Sequence, residues 1–312
     1  MRDWSGREPR VLVVGWGFLG AAVGTRLFER GAHVCGLTRS ESWRVHAARS
    51  FGIEVAIGDA GDRLAVGRSM QGIEHVVFVA GGLDPPTAEL RPSDDAVQAL
   101  TPLLCTLDVM RGLGNVSFTY ISSGGTVYGN PSNGRATELD PARPISAYGV
   151  SRLAGEAYSQ MFAATYGVKT QVVRCANAYG PGQSHSRPQG AVAVFLCRVA
   201  AGLTIAIAGR GTAVRDYVHI DDVASAVAQL VMDRVDCGVV NLGSGSGCSV
   251  IDLLSVVSET VGRSPVVEFL HRRPYDVDTI VLDISKLRSL IPYDPMTLVD
   301  GVHRTWAVIN PD

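Results

Sequence analysis

The chain has 312 residues, 46% of them hydrophobic and 19% charged, with a formal net charge of −2. Such a composition can bury a sizeable core and excludes an intrinsically disordered chain. It leaves no basic excess to hold a nucleic-acid backbone, and no apolar run is long enough to span a bilayer.

In chain order, Arg10 to Val14 is a β-branched strand that runs into a glycine cluster. A helical pattern follows, with Ala22, Val23, Leu27 and Phe28 on one side. Next come a strand over His33–Leu37, a helix over Trp43–Ser50 and strands over Glu54–Ile57 and Val76–Val79. Ala96–Arg111 reads as a helix, Val116–Ile121 as a strand, Ser146–Tyr166 as a long helix and Thr170–Arg174 as a strand. Strands alternating with helices predict an α/β fold built on a doubly wound parallel sheet. After Asn177 the rhythm changes to a turn-rich loop, a helix over Ala191–Ala201 and a short strand over Ile205–Ala208. Val218–Met232 and Val239–Leu242 read as a return to the main sheet. Val250–Val261, Val266–Leu270, Ser285–Ile291 and Leu298–Val308 complete a smaller C-terminal lobe. The expected division is residues 1–178 with 214–244 returning to them, against 179–213 and 245–312.

Six scattered cysteines, Cys35, Cys105, Cys175, Cys197, Cys237 and Cys248, form no Cys-x-x-Cys pair and read as free thiols. Met1 to Arg10 lacks the apolar core of a signal peptide. A soluble cytoplasmic protein is the expectation. His219, Asp221 and Asp222 resemble a metal-ligand set. The preferred reading is structural: the histidine in a sheet, the aspartates at the next helix N-terminus, and no metal.

Gly15-x-Gly17-x-x-Gly20 follows a strand and opens a helix. That arrangement lets backbone approach a pyrophosphate at a helix N-terminus, and it predicts a Rossmann NAD(P)-binding domain. Phe18 and Leu19 belong to the same loop, and Ala80 and Gly81 follow the Val76–Val79 strand on the same sheet edge. Where an NAD enzyme usually carries a carboxylate for the ribose, this chain has Thr38-Arg39-Ser40. Arg39 can pair with a 2′-phosphate, so the cofactor reading leans towards NADP(H); the alternative is a solvated surface arginine. Asp59 ends the next strand, either as an adenine contact or as a turn residue.

Tyr148 and Arg152 are four residues apart on the long helix and share one face. A neighbouring cation stabilises phenolate and makes a tyrosine, whose pKa is ordinarily ~10, usable as an acid or base. Arginine keeps the charge of the usual lysine but is planar, bulkier and essentially never deprotonated.

The glycine loop, Ser122-Ser123-Gly124-Gly125-Thr126-Val127-Tyr128-Gly129 and the Tyr148 segment occur in order. Asn177-Ala178-Tyr179-Gly180-Pro181-Gly182 and Arg215-Asp216-Tyr217-Val218-His219-Ile220-Asp221-Asp222 follow. Together they resemble the extended short-chain dehydrogenase/reductases, in the NAD-dependent epimerase/dehydratase branch and nearest to UDP-hexose 4-epimerases. The resemblance implies a nicotinamide cofactor in the N-terminal lobe, a nucleotide-sugar under the C-terminal lobe and a homodimer built on the helices near Ala96–Arg111 and Ser146–Tyr166. It also implies that Tyr148 is the acid/base. The family hydroxyl that contacts the reacting group falls on Gly124. Thr126, two residues on along an assumed extended strand, is the first candidate to replace it, and Ser123 is the second. Asn177, Arg215, Arg273 and Asp276 match substrate-binding positions, and Val192 lies in a stretch that runs along the base in the family. Lobe-to-lobe salt bridges, or plain helix core for Val192, are the alternatives.

Three functions remain open at this point. The first is a UDP-hexose 4-epimerase-like enzyme. The second is an NADPH-dependent reductase of a keto-sugar, nucleotide-linked or free. The third is a dinucleotide-binding protein without catalysis, suggested by Gly124 and Arg152.

Overall fold

The computed structural model describes residues 8–185 and 190–310; most of the Met1–Arg10 segment lies outside them. The first half alternates β1 (Arg10–Val14), α1 (Phe18–Glu29), β2 (His33–Thr38), α2 (Trp43–Ser50), β3 (Glu54–Ile57), α3 (Arg63–Ser69) and β4 (His75–Phe78). Then come α4 (Pro85–Leu90), α5 (Pro92–Leu113), β5 (Ser117–Ser123), α6 (Gly124–Val127), β6 (Arg135–Ala136), α7 (Ala147–Tyr166) and β7 (Lys169–Cys175). The remainder is β8 (Asn177–Tyr179), α8 (Ala191–Ala201), β9 (Thr204–Ala208), β10 (Val214–His219), α9 (Ile220–Met232), β11 (Val239–Leu242), β12 (Gly247–Ser249), α10 (Val250–Val261), β13 (Val266–Leu270), β14 (Thr279–Leu282), α11 (Ser285–Leu290) and α12 (Leu298–Ile309).

Seven parallel strands form the main sheet in the order β11-β7-β5-β4-β1-β2-β3. This is the Rossmann-like doubly wound α/β arrangement. Val11 to Val14 are fully buried, as expected of a strand covered on both faces. One face packs Val23 and Leu27 of α1 with Val223, Val227 and Leu230 of α9. The other packs Leu103, Leu107 and Met110 of α5 with Phe162 of α7. Chain order reverses between β1 and β4, so the crevice beyond their carboxyl ends is the natural ligand position.

A second sheet runs β12-β10-β14-β6, with β8 paired to β10, and β9 and β13 form a separate parallel pair. Of the stretch that returns after residue 213, α9 and β11 sit with the main sheet, whereas β10 lies in the second sheet. The smaller lobe has its own core of Tyr179, Val192, Leu196, Ile205, Leu253 and Val302. Among the described residues, no helix is long and apolar enough to cross a membrane.

Two local findings differ from the sequence expectation. Helix α5 begins at Pro92 rather than Ala96, because proline suits the first helical turn and Asp94 and Asp95 suit its dipole. The chain does not stay extended after Ser123; it turns at once into α6, where the Thr126 hydroxyl donates to the Ser123 carbonyl (3.3 Å).

Candidate active site

β1 is followed by Gly15, whose φ of +102° is a left-handed conformation open to glycine. A Cβ there would lie 2.7 Å from the Ala80 backbone nitrogen, so the glycine loop rests directly on the loop after β4. Gly20 packs against the Gly15 carbonyl, while the space above Gly17 is open. Gly17 caps α1 without a side-chain hydrogen bond. The amides of the first turn, Phe18 and Leu19 among them, therefore face a cleft suited to an anion.

Trp16, between two of these glycines, is buried against Gly24 of α1 and Gly36 of β2. Its indole N–H donates to the Arg44 carbonyl (3.4 Å). Arg44 in turn lies over the Trp43 ring and donates to the Gly182 carbonyl, which ties α2 to the turn after β8. At the ends of β2 and β3, the Gly58 amide donates to the Thr38 carbonyl (2.8 Å), bringing Thr38 and Asp59 side by side. Arg39 and Ser40 are exposed, and Arg39 has no ion-pair or hydrogen-bond partner among the described residues. The Asp59 carboxylate accepts from the Gly61 amide (2.8 Å) and closes a turn.

Ser146 caps α7 by accepting from the Gly149 amide (3.1 Å), which sets Tyr148 in the first turn, half-buried. Arg152, one turn on, is buried with its guanidinium carbon 4.6 Å from the centre of the Tyr148 ring. Its Nη2 donates to the Gly81 carbonyl (2.6 Å). Burial opposes the Arg152 charge, but Tyr148, Tyr120 and Asp95 more than offset this and hold its pKa above the ordinary arginine value. Tyr148, Arg152, Gly81, Ala80 and Gly15 thus form one continuous group across the β1/β4 crevice.

Residues 124–127 are helical, so strand alternation does not bring Thr126 to the side of Gly124 as expected. Thr126 nevertheless packs on α7, where a Cβ at Gly149 would lie 2.9 Å from its carbonyl oxygen. Ser123 is half-exposed, and its hydroxyl has no partner among the described residues. Ser122 is committed elsewhere: it donates to Glu156 (2.5 Å), which is itself paired with Arg174 (2.7 Å) in the interior. At Gly124 a Cβ would sit 2.6 Å from Leu282 Cδ1 and 2.9 Å from the Arg174 carbonyl oxygen, so the missing hydroxyl has no room as the chain is folded.

On β8, Asn177 lies beside Gly125 and donates to the Asp216 carbonyl (3.1 Å). Arg215 Nη1 donates to the Val214 carbonyl (2.9 Å), and burial pulls its pKa below the ordinary arginine value. Arg273 and Asp276 lie in the loop after β13, half-exposed and without ion pairs among the described residues; the neighbouring Arg272 pairs with Asp278 instead. Val192 is buried in the core of the smaller lobe. His219 ends β10 and caps α9, its Nδ1 accepting from the Asp221 amide (3.2 Å), with Asp221 and Asp222 in the first turn.

A model of the NAD dependent epimerase/dehydratase family matches residues 11–243. The chain belongs to that family. It is 30% identical to the UDP-glucose 4-epimerase of Mycolicibacterium smegmatis, across 95% of this chain and 97% of that one. It is 26% identical to a dTDP-4-dehydro-6-deoxy-D-allose reductase from Streptomyces, across 97% and 96% of the two chains. The structure of Thermus thermophilus UDP-glucose 4-epimerase in complex with NAD superposes with a TM-score of 0.88 at 31% identity, covering 96% of this chain and 98% of that one.

The open space at Gly17 and the uncapped start of α1 fit the cofactor of an NAD-dependent epimerase/dehydratase. Within this family member, sequence reasoning passed over Asp95, Trp16 and Leu282, all of which touch the site. Asp95 had one visible signal, the Asp94-Asp95 pair beside a helix start. Trp16 had its place inside the glycine loop, whereas Leu282 carried none, since it meets Gly124 from a segment distant in sequence.

Proposed function

We propose that this family member is a nucleotide-sugar 4-epimerase acting on a UDP-hexose, with Tyr148 as its acid/base. The carrying observation is Arg152, which stacks on the Tyr148 ring and donates to Gly81 in the loop after β4. It joins the proton-transferring phenol to the cofactor crevice. The cofactor, held by Gly15, Gly17, Phe18, Leu19, Gly20, Ala80 and Gly81, supplies a hydride acceptor and donor when bound. Tyr148 Oη takes the proton of the sugar hydroxyl and later returns it. The fixed charge of Arg152 lowers the energy of the phenolate in between. Thr126 or Ser123 supplies the second hydroxyl. Asn177 and Arg215 hold the diphosphate, Arg273 and Asp276 grip the nucleotide from the smaller lobe, and Val192 backs the helix along the base. Similarity to UDP-glucose 4-epimerases across nearly the whole chain supports the UDP-sugar. Conversion of UDP-glucose or another UDP-hexose to its 4-epimer, without net change in NAD and abolished in Tyr148→Phe, is the test. No turnover of any UDP-hexose would reject the reading, and turnover lost in Tyr148→Phe also excludes a non-catalytic binder.

A second reading is favoured by Thr38-Arg39-Ser40, where no carboxylate ends β2 and Arg39 is unpaired among the described residues. In it, Arg39 holds a 2′-phosphate and the protein reduces a keto-sugar with NADPH. NADPH consumed one for one with product separates this from epimerisation. Exposed Val97 on α5 with Val150 and Met161 on α7 supports a homodimer across these helices, measurable by light scattering. The six free thiols support a reducing, cytoplasmic setting.

A further inference from the structure

Asp95 is fully buried in the first turn of α5. Its Oδ1 accepts from the Leu83 amide (2.7 Å), while its Oδ2 is buried with no hydrogen-bond partner among the described residues. On the other side of Gly82 lies Arg152, whose Nε is likewise buried and unpartnered. A Cβ at Gly82 would collide with Arg152 Nη2 and lie 3.0 Å from Asp95 Oδ1, so the two charged groups face one glycine. The other titratable groups around Arg152 are Tyr148 on its own helix and Tyr120 on β5. Glu156, near Tyr120, is engaged by Arg174. Asp95 is therefore the one carboxylate among these groups that is not taken up by another cation.

We propose that Asp95 is the counter-charge of Arg152, a positioning residue that tempers the cation's hold on the Tyr148 phenol. An isolated charge is expensive to bury, and a nearby anion offsets part of that penalty. The second reason is chemical. An acid/base that must both take and return a proton works best when neither form is strongly favoured. A guanidinium that never deprotonates, held against the phenol ring, pushes towards phenolate throughout. The Asp95 charge pushes the opposite way. Leu83, in the loop after β4, ties this carboxylate to the segment that Arg152 also holds through Gly81.

The catalytic meaning rests on the acid/base reading of Tyr148, but its test needs no substrate. The tyrosinate ultraviolet difference spectrum is followed against pH, with the Tyr148→Phe protein subtracted to isolate Tyr148. Asp95→Asn keeps the shape and the Leu83 hydrogen bond while removing the charge. The expected result is a downward move of the Tyr148 titration by about one unit, roughly tenfold in its ionisation constant. Asp95→Ser is also neutral and smaller, and gives the same reading should the asparagine variant fold poorly. An unmoved or upward-moved titration in a folded variant overturns the proposal, as does a fall in thermal stability with the titration unchanged. Absence of epimerase activity leaves this result standing and counts only against the proposed function.

Discussion

The guanidinium of Arg152 lies against the ring face of Tyr148, its carbon 4.6 Å from the ring centre, and points its Nη2 at the Gly81 carbonyl. An arginine in this place acts on the phenol as a fixed field across the ring. Its Nη2 is already engaged by backbone, so it holds the loop after β4 as well as the charge.

That arrangement separates charge from shape. Arg152→Lys keeps the charge on a compact ammonium and is expected to stay within about tenfold of the parent kcat. Arg152→Met removes it and is expected to lose ~100-fold, which corresponds to about 2.7 kcal/mol of transition-state stabilisation. Steady-state kinetics on both variants check this. A comparable collapse in the lysine variant would assign the guanidinium fork a role of its own.

Gly124 is held small by its neighbours. Because a Cβ there would lie 2.6 Å from Leu282 Cδ1, Gly124→Ser is expected to destabilise the fold by about 1–3 kcal/mol. Adding Leu282→Ala opens the space, so the pair should be less destabilised than the sum of the two single changes. Denaturant unfolding of the four proteins measures the coupling.

His75 links stability to pH. It is buried beside Thr119 (2.7 Å), and burial, then Arg234, push its pKa down to about 3. In the unfolded chain it titrates near ~6.5. Below that pH the unfolded state binds a proton that the folded state refuses, so stability falls as pH drops from about 6.5 towards about 3. His75→Gln should flatten the unfolding free energy over this window by up to ~1.4 kcal/mol per pH unit. An acid limb as steep as the parent's would show that other groups carry it.

Arg39 offers the test of the cofactor. Arg39→Ala is expected to weaken NADP binding about tenfold or more and to leave NAD binding nearly unchanged, since a charge-assisted pair to a 2′-phosphate is available only to NADP. Calorimetric titration with each nucleotide checks it, and equal effects on both would remove the basis of the NADPH reading.

Legibility followed the range of the interactions. Trp43–Ser50, Ala191–Ala201 and Val250–Val261 were readable to the residue, because helical period and turn signals are local. The strands β6, β12 and β14 are only two to four residues long and pair across large sequence distances, so no local pattern marked them. The α6 turn was misread as strand because two glycines carry almost no conformational preference, and contacts with Arg174 and Leu282 decide their path.

By itself the sequence determined the alternating α/β order, the glycine loop at the first strand–helix junction, and the Tyr148–Arg152 spacing. All three are written in neighbours within a turn or a strand of one another. Only the tertiary structure decided that Gly81 receives Arg152, that Leu282 closes the space at Gly124, and that Asp95 faces Arg152 across Gly82. Those relations join segments dozens of residues apart. They arise from close packing and from the need of buried charges for partners, and neither leaves a periodic trace along the chain.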